Sequence, residues 1–214
     1  MRLKHVKGAN EIIRNGTYYL PTPKDYKGKW QEIFQNTNPI YIEIGMGKGD
    51  FLIENATKYP NINFIGIEKY DSVLVRAIQK SNDLELKNFK LIRMDANEIK
   101  EVFDHEIDLI YLNFSDPWPK DRHTKRRLTS SIFLEKYTYI FKNKNHIIMK
   151  TDNNNLFEYS KESLQEFGYT IQNSTRNLYH SEFLEKNIPT EYEKKFVNLG
   201  IKINYLDAIK NKRK

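Results

Sequence analysis

The chain has no cysteine among its 214 residues, which excludes a disulfide framework, a thiolate metal site and a cysteine nucleophile, and is compatible with a reducing compartment. Long apolar runs are also missing, and mean hydropathy is -0.73, so no stretch reads as a membrane span. The amino terminus carries no secretory signal pattern, and cytoplasm is the expected compartment. Internal repeats and low-complexity blocks are absent, as is any histidine spacing suited to a metal; His105, His146 and His180 receive no ligand role, and no metal is expected.

What remains is the composition of one soluble domain with 39% hydrophobic and 29% charged residues. Lys and Arg outnumber Asp and Glu by 35 to 28, giving +7 and a pI near 9.2. That balance favours a polyanionic partner, although coding bias toward Lys explains it equally well.

From residue 40 onward short apolar runs alternate with amphipathic stretches, which predicts a doubly wound α/β domain around a parallel sheet. Strands are expected at Ile40–Ile44, Ile62–Ile67, Phe89–Arg93, Ile107–Leu112, His146–Lys150, Tyr169–Gln172 and Phe196–Tyr205. Helices are expected near Gly49–Lys58, Asp71–Ser81, Asn97–Phe103, Ser130–Phe141 and Asn153–Phe167. Residues 1–27, with Arg2, Lys4, His5 and Lys7 and then Pro21, Pro23 and Gly28, read as an arm before a helix around Trp30–Phe34. Lys210–Lys214 reads as a frayed basic tail.

The first strand runs into Glu43-Ile44-Gly45-Met46-Gly47-Lys48-Gly49-Asp50. Glycines at 45, 47 and 49 let the backbone turn sharply, take positive φ and approach a ligand. Glu68 ends the second strand about 20 residues on, where a carboxylate accepts from both hydroxyls of a ribose. Asp95, after the third strand, either accepts from an adenine amino group or caps the next helix. G-x-G-x-G preceded by an acid, in place of G-x-G-x-x-G, favours S-adenosylmethionine over NAD, since the methyl donor has no pyrophosphate and its ammonium and sulfonium suit an acidic edge.

After the fourth strand comes Leu112-Asn113-Phe114-Ser115-Asp116-Pro117-Trp118-Pro119-Lys120. Pro117 and Pro119 restrain Asp116 and Trp118 to extended backbone, stiffening a lip that either binds a base or merely covers the core. Lys120, Arg122, Lys125, Arg126 and Arg127 follow with His123 among them, a solvated face or a grip on phosphates.

The segments IEIGMGKGDF, LNFSDPWPK followed by RHTKRR, KTDN at 150–153 and TEYEKKF at 190–196 resemble successive motifs of the bacterial tRNA (guanine-N7)-methyltransferases, and MRLKHVKGA is similar to that family's basic start. The glycine segment is common to many methyltransferases; DPWPK with RHxKRR and a later TEYE is narrow. The resemblance implies a Rossmann-like class I S-adenosylmethionine-dependent methyltransferase fold, with a seven-stranded mostly parallel sheet and helices on both faces. It also implies an arm with a leading helix over residues 1–35 and a catalytic domain over 36–214. Glu43, Gly45, Gly47, Gly49, Glu68, Asp95 and Asp116 are then cofactor residues, with Asp116 also catalytic. Lys120, Asp152, Thr190, Glu191, Tyr192 and Glu193 form the substrate pocket. Arg122, His123, Thr124, Lys125, Arg126 and Arg127 contact RNA. The implied target is guanine 46 in the tRNA variable loop, the implied product S-adenosylhomocysteine, and the implied assembly a monomer or homodimer.

On the residues alone, Asp152 either joins the pocket or caps the helix near Asn153, and Glu191 and Glu193 are either pocket acids or a solvated turn. Two other functions compete: a non-catalytic RNA-binding module on the same fold, and a nicotinamide-dependent oxidoreductase. Two departures from the family pattern, Asp121 in place of a basic residue and the lack of a tryptophan in Val6-Lys7-Gly8-Ala9, bear on RNA affinity and the packing of the arm.

Overall fold

A computed structural model describes residues 8–211; Arg2, Lys4, His5 and Lys7 of the basic start and residues 212–214 of the tail lie outside them. An eight-stranded sheet has the order β1-β4-β3-β2-β5-β6-β8-β7. The strands are β1 (Tyr19–Leu20), β2 (Ile40–Ile44), β3 (Asn63–Glu68), β4 (Phe89–Arg93), β5 (Leu109–Asn113), β6 (Lys144–Thr151), β7 (Thr170–Thr175) and β8 (Asn204–Asn211). Pairing is parallel from β1 through β6, whereas β8 runs antiparallel to both β6 and β7. From β2 the chain builds outward through β3 and β4, then returns to place β5 and β6 on β2's other side. The carboxyl ends beside β2 therefore form a topological switch point, where open α/β sheets bind ligands.

The helices are α1 (Ala9–Arg14), α2 (Trp30–Phe34), α3 (Asp50–Lys58), α4 (Asp71–Ser81), α5 (Ile99–Val102), α6 (Ser131–Ile140), α7 (Asn154–Glu166) and α8 (Glu191–Asn198). Period-two alternation in β2 sends Ile40, Ile42 and Ile44 to one face, where they join Phe133, Leu134 and Tyr137 of α6 and Leu156 and Leu164 of α7. The opposite face packs Phe64 and Leu91 against Phe51 and Leu52 of α3 and Leu74, Val75 and Ile78 of α4. Each such aliphatic side chain contributes roughly 1.5–3 kcal/mol on burial. Gly66 in β3 is closely packed: a Cβ there would fall 2.2 Å from the sulfur of Met46 and 3.0 Å from a Leu91 methyl, so a side chain at 66 would force Met46 in the glycine turn to repack.

Three expectations are corrected. The sheet gains β1, whose two residues pair with Leu91 and Ile92 while Tyr18 beside it takes the Leu86 N–H on its hydroxyl; a strand this short has no alternation to read. Phe196–Tyr205 is not a strand: Phe196 lies in α8, and β8 begins at Asn204. The physical reason is a capping box. The Thr190 hydroxyl accepts from the Glu193 N–H, the Glu193 carboxylate accepts from the Thr190 N–H, and the two together start a helix where the apolar residues suggested extension. Lys210 is not frayed, because it belongs to β8 and donates to the Phe167 carbonyl at 2.6 Å.

Candidate active site at the carboxyl edge of the sheet

The glycine turn locks onto β3 through Gly45 and Met46, whose N–H groups donate to the Ile67 carbonyl at 2.9 and 3.1 Å. Gly45, Gly47 and Gly49 take φ of 77, 62 and 82°, values that an L side chain resists. No protein atom lies within 4 Å of where a Cβ would sit at Gly45 or Gly47, so backbone conformation dictates glycine there and leaves open space beside the turn.

That space belongs to a crevice of about 430 Å³, lined among others by Gly45, Glu68, Asp95, Asp116, Trp118 and Arg126. A larger cavity of about 700 Å³ lies over the sheet face of Tyr41, Tyr111, Lys150 and Tyr205, but neither the glycine turn nor Glu68 nor Asp116 borders it. The crevice is therefore the candidate site.

Glu68 is held by backbone donors. Its Oε1 accepts from the N–H groups of Lys69 and Tyr70 at 2.8 and 3.0 Å, and its Oε2 from Gly47 at 3.2 Å. Burial raises its pKa and these bonds oppose the rise, leaving it above the ordinary glutamate value. Asp95 realises its capping alternative: Oδ1 accepts from the Asn97 backbone and side chain, each at 2.9 Å, while Oδ2 pairs with Lys69 at 2.7 Å. Burial pulls the Asp95 pKa up, but the Lys69 and Asn97 bonds outweigh it, and the net shift is downward.

Glu43 stands one layer below the crevice. It is buried, its Oε1 accepts from the Asn113 amide at 2.8 Å, and its Oε2 has no partner. Burial drives its pKa up to about 8. A buried acid oxygen without a partner, close to Glu68 beneath a turn open to the crevice, fits a cofactor that brings a cation to this edge, since such a charge would favour ionisation of Glu43. S-adenosylmethionine, with its ammonium and sulfonium, fits that description. Lys69 and exposed Tyr70, which carry no motif signal in the sequence, also line the crevice.

The lip carrying Asp116 departs from expectation. Trp118 has φ 41°, a left-handed conformation in place of the extended one predicted before Pro119, and Phe114 has φ 51°. Such backbone costs ~1–3 kcal/mol and persists only where surroundings enforce it. Here the Arg127 guanidinium donates to the Pro117 and Trp118 carbonyls at 3.0 and 3.1 Å, and the Arg126 guanidinium lies 4.9 Å from the Trp118 ring centroid. Asp116 itself is exposed on the crevice wall.

A third segment arrives through α8. Tyr192 packs on Phe114 of the lip with centroids 5.0 Å apart, and Glu191 pairs with Lys48 of the glycine turn at 2.6 Å. Asp152 sits near Tyr192, whose phenol pKa is raised by burial and then by the Asp152 charge. The cap of α7 belongs to Asn153, whose side chain accepts from the Leu156 N–H at 2.8 Å, so the capping alternative for Asp152 is corrected. Glu193 is no solvated acid: it is fully buried and paired with Lys150 at 2.6 Å. Lys150, assigned no role from sequence, is signalled by a charge directly after the apolar Ile147-Ile148-Met149.

The basic stretch forms a 3-10 segment, Asp121–Arg126, beside the crevice. Arg122, Lys125 and Arg126 are exposed, His123 and Thr124 are half-buried, and Arg127 turns inward. Lys120, at the head of this segment, is exposed outside the crevice. Among the described residues no His, Asp and Glu cluster could hold a metal.

Comparison with known proteins bears on this arrangement. A family model described as a putative methyltransferase matches residues 37–206. The tRNA (guanine-N(7)-)-methyltransferase of Lachnoclostridium phytofermentans is 49% identical over 99% of this chain and 100% of its own. The chain belongs to this family. The Bacillus subtilis member is 48% identical over 94% of each chain. Membership sets aside the oxidoreductase reading. Solved structures show the same fold at low identity: an antibiotic-related methyltransferase matches at TM-score 0.62 and 18% identity over 88% of this chain and 94% of that one, and the 16S rRNA methyltransferase KamB at 0.63 and 11% over 86% and 94%. No helix among the described residues is long and apolar enough to cross a membrane.

Proposed function

We propose that this family member transfers the methyl group of S-adenosylmethionine to N7 of guanine in tRNA, with position 46 of the variable loop as the target and the cytoplasm as its place of work. The observation that carries the reading is the meeting, at one crevice, of the Glu68 carboxylate, the Asp116–Trp118 lip and exposed Lys125 and Arg126.

When bound, the cofactor supplies an electrophilic methyl group. Guanine N7 already presents a lone pair at neutral pH, so the chain's task is alignment more than proton removal, and holding two reactants in line is worth roughly 7–11 kcal/mol of barrier. Asp116, on the crevice wall, stabilises the positive charge that the purine acquires. Asp152 accepts from guanine N1–H and the exocyclic amine, a donor pair that adenine lacks. Glu193 is committed to buried partners, so its part is to hold the Thr190–Tyr192 segment against Phe114. Lys120, Arg122, Lys125 and Arg126 meet the phosphates on either side of the target.

Nucleoside mass spectrometry of tRNA from cells lacking the protein tests this. N7-methylguanosine should vanish and return on complementation, and tRNA with guanine 46 replaced should not be methylated. Unchanged N7-methylguanosine in the deleted strain would sink the assignment.

A further inference from the structure

We infer that Arg127 is a positioning residue for the Asp116–Trp118 lip, not a phosphate contact, and that it sets the shape of the cofactor crevice from outside it. The inference rests on the methyltransferase reading for its kinetic consequences and on geometry alone for its structural ones.

Arg127 closes the basic run and reads in sequence as one more cation for RNA, yet it is buried while Arg122, Lys125 and Arg126 are exposed. Its Nε donates to the Pro117 carbonyl at 3.0 Å and its Nη2 to the Trp118 carbonyl at 3.1 Å. The guanidinium plane also lies over Tyr159 of α7, 4.2 Å from the ring centroid. Its own carbonyl accepts from the Ser130 N–H at 2.9 Å, at the start of α6. The side chain thus ties the lip to α7, while the main chain of the same residue is held at the start of α6.

The carbonyls it takes are those of the residues around the left-handed Trp118, φ 41°. A bulky residue before proline does not hold that conformation unaided. Two parallel donors in a rigid fork, with the plane stacked on an aromatic ring, suit arginine and not lysine, whose ammonium is a point charge on a flexible stem. With the Trp118 backbone so turned, its ring lies against Arg126 and His123 and lines the crevice next to Asp116. Arg127 therefore acts on the cofactor through Trp118 and Asp116.

The test compares Arg127→Lys with Arg126→Ala. Arg127→Lys keeps the charge but loses the fork. It should weaken S-adenosylhomocysteine binding and lower kcat/KM, each on the order of 10–100-fold, while leaving the salt dependence of tRNA binding unchanged. Arg126→Ala should reduce that log–log slope by about 1. Fluorine NMR of 5-fluorotryptophan protein has only Trp30 and Trp118 to report; the Trp118 resonance should move in Arg127→Lys and the Trp30 resonance should not. A reduced salt slope with normal product binding and an unmoved Trp118 signal would make Arg127 an RNA contact and overturn the inference. A fall in thermal stability alone, with kinetics and the Trp118 signal intact, would overturn it too. If the wild-type protein makes no N7-methylguanosine, the functional reading fails, but the binding and NMR arms still judge the strut.

Discussion

The Lys150 ammonium and the Glu193 carboxylate lie 2.6 Å apart, with 3% and 0% of their side chains exposed, and join the end of β6 to the first turn of α8. Lys150 also donates to the Asn187 side chain and the Ile188 carbonyl at 3.0 and 2.8 Å. Glu193 accepts in addition from Tyr179 and Asn187 at 3.1 and 2.7 Å. Burial lowers the Lys150 pKa, and Glu193 pulls it back toward the charged form. A pair this enclosed is costly to break on one side, because the remaining charge stays in a low dielectric.

Glu193→Leu or Lys150→Met alone should therefore lose about 3–5 kcal/mol of stability. The double variant should lose much less, since no orphan charge remains. Urea denaturation of the four proteins measures the coupling, and additive losses would show that the two groups do not act as a pair.

On the proposed reading Glu68 accepts from the ribose, and Gln in its place removes one acceptor while preserving shape. Affinity for S-adenosylhomocysteine should fall on the order of 10–100-fold, with a modest fall in melting temperature because the amide nitrogen would replace the oxygen that accepts from Gly47. Calorimetry reads both the affinity and its absence for NAD, and unaltered binding would remove Glu68 from the cofactor site.

Asp116→Asn should fold normally, because Asp116 is exposed, and should slow methyl transfer on the order of 10²–10³-fold in single turnover, the scale of losing one electrostatic contact to developing charge. Near-normal rates would exclude Asp116 from the chemistry.

Glu43 gives a pH signature. Its folded pKa, about 8, stands above the ordinary value of 4.5, so the folded protein keeps a proton that the unfolded chain releases between those two values. The stability this confers is complete below about 4.5 and is lost as pH rises toward 8. Glu43→Gln does not titrate, and its amide oxygen can keep the bond from the Asn113 amide. Its melting temperature relative to wild type should climb steadily from pH 5 to pH 8. A flat difference across that range would mean that Glu43 ionises at an ordinary pH.

Much of the fold was readable because its signals are local. The span of α4 follows from amphipathic spacing within Asp71–Ser81, and β2 from alternating isoleucines ahead of the glycine turn. The positions of Glu68 and Asp95 at the ends of successive strands likewise put both at the carboxyl edge of the sheet, where they line the crevice. The region after Ile188 was misread because one hydrogen-bonded cap, Thr190 with Glu193, outweighed the apolar pattern that follows it.

The sequence by itself determined the doubly wound plan, the positive-φ glycine turn and the acids at the strand ends, since each depends on residues within a few positions of one another. Only the tertiary structure decided which charges face solvent. Arg126 and Arg127 are neighbours in the chain, yet one lies exposed beside the Trp118 ring and the other is buried against Tyr159. Glu193 found Lys150 across 43 residues. Whether a charged side chain grips RNA or braces a loop depends on what the rest of the chain packs against it, and adjacency in sequence does not encode that.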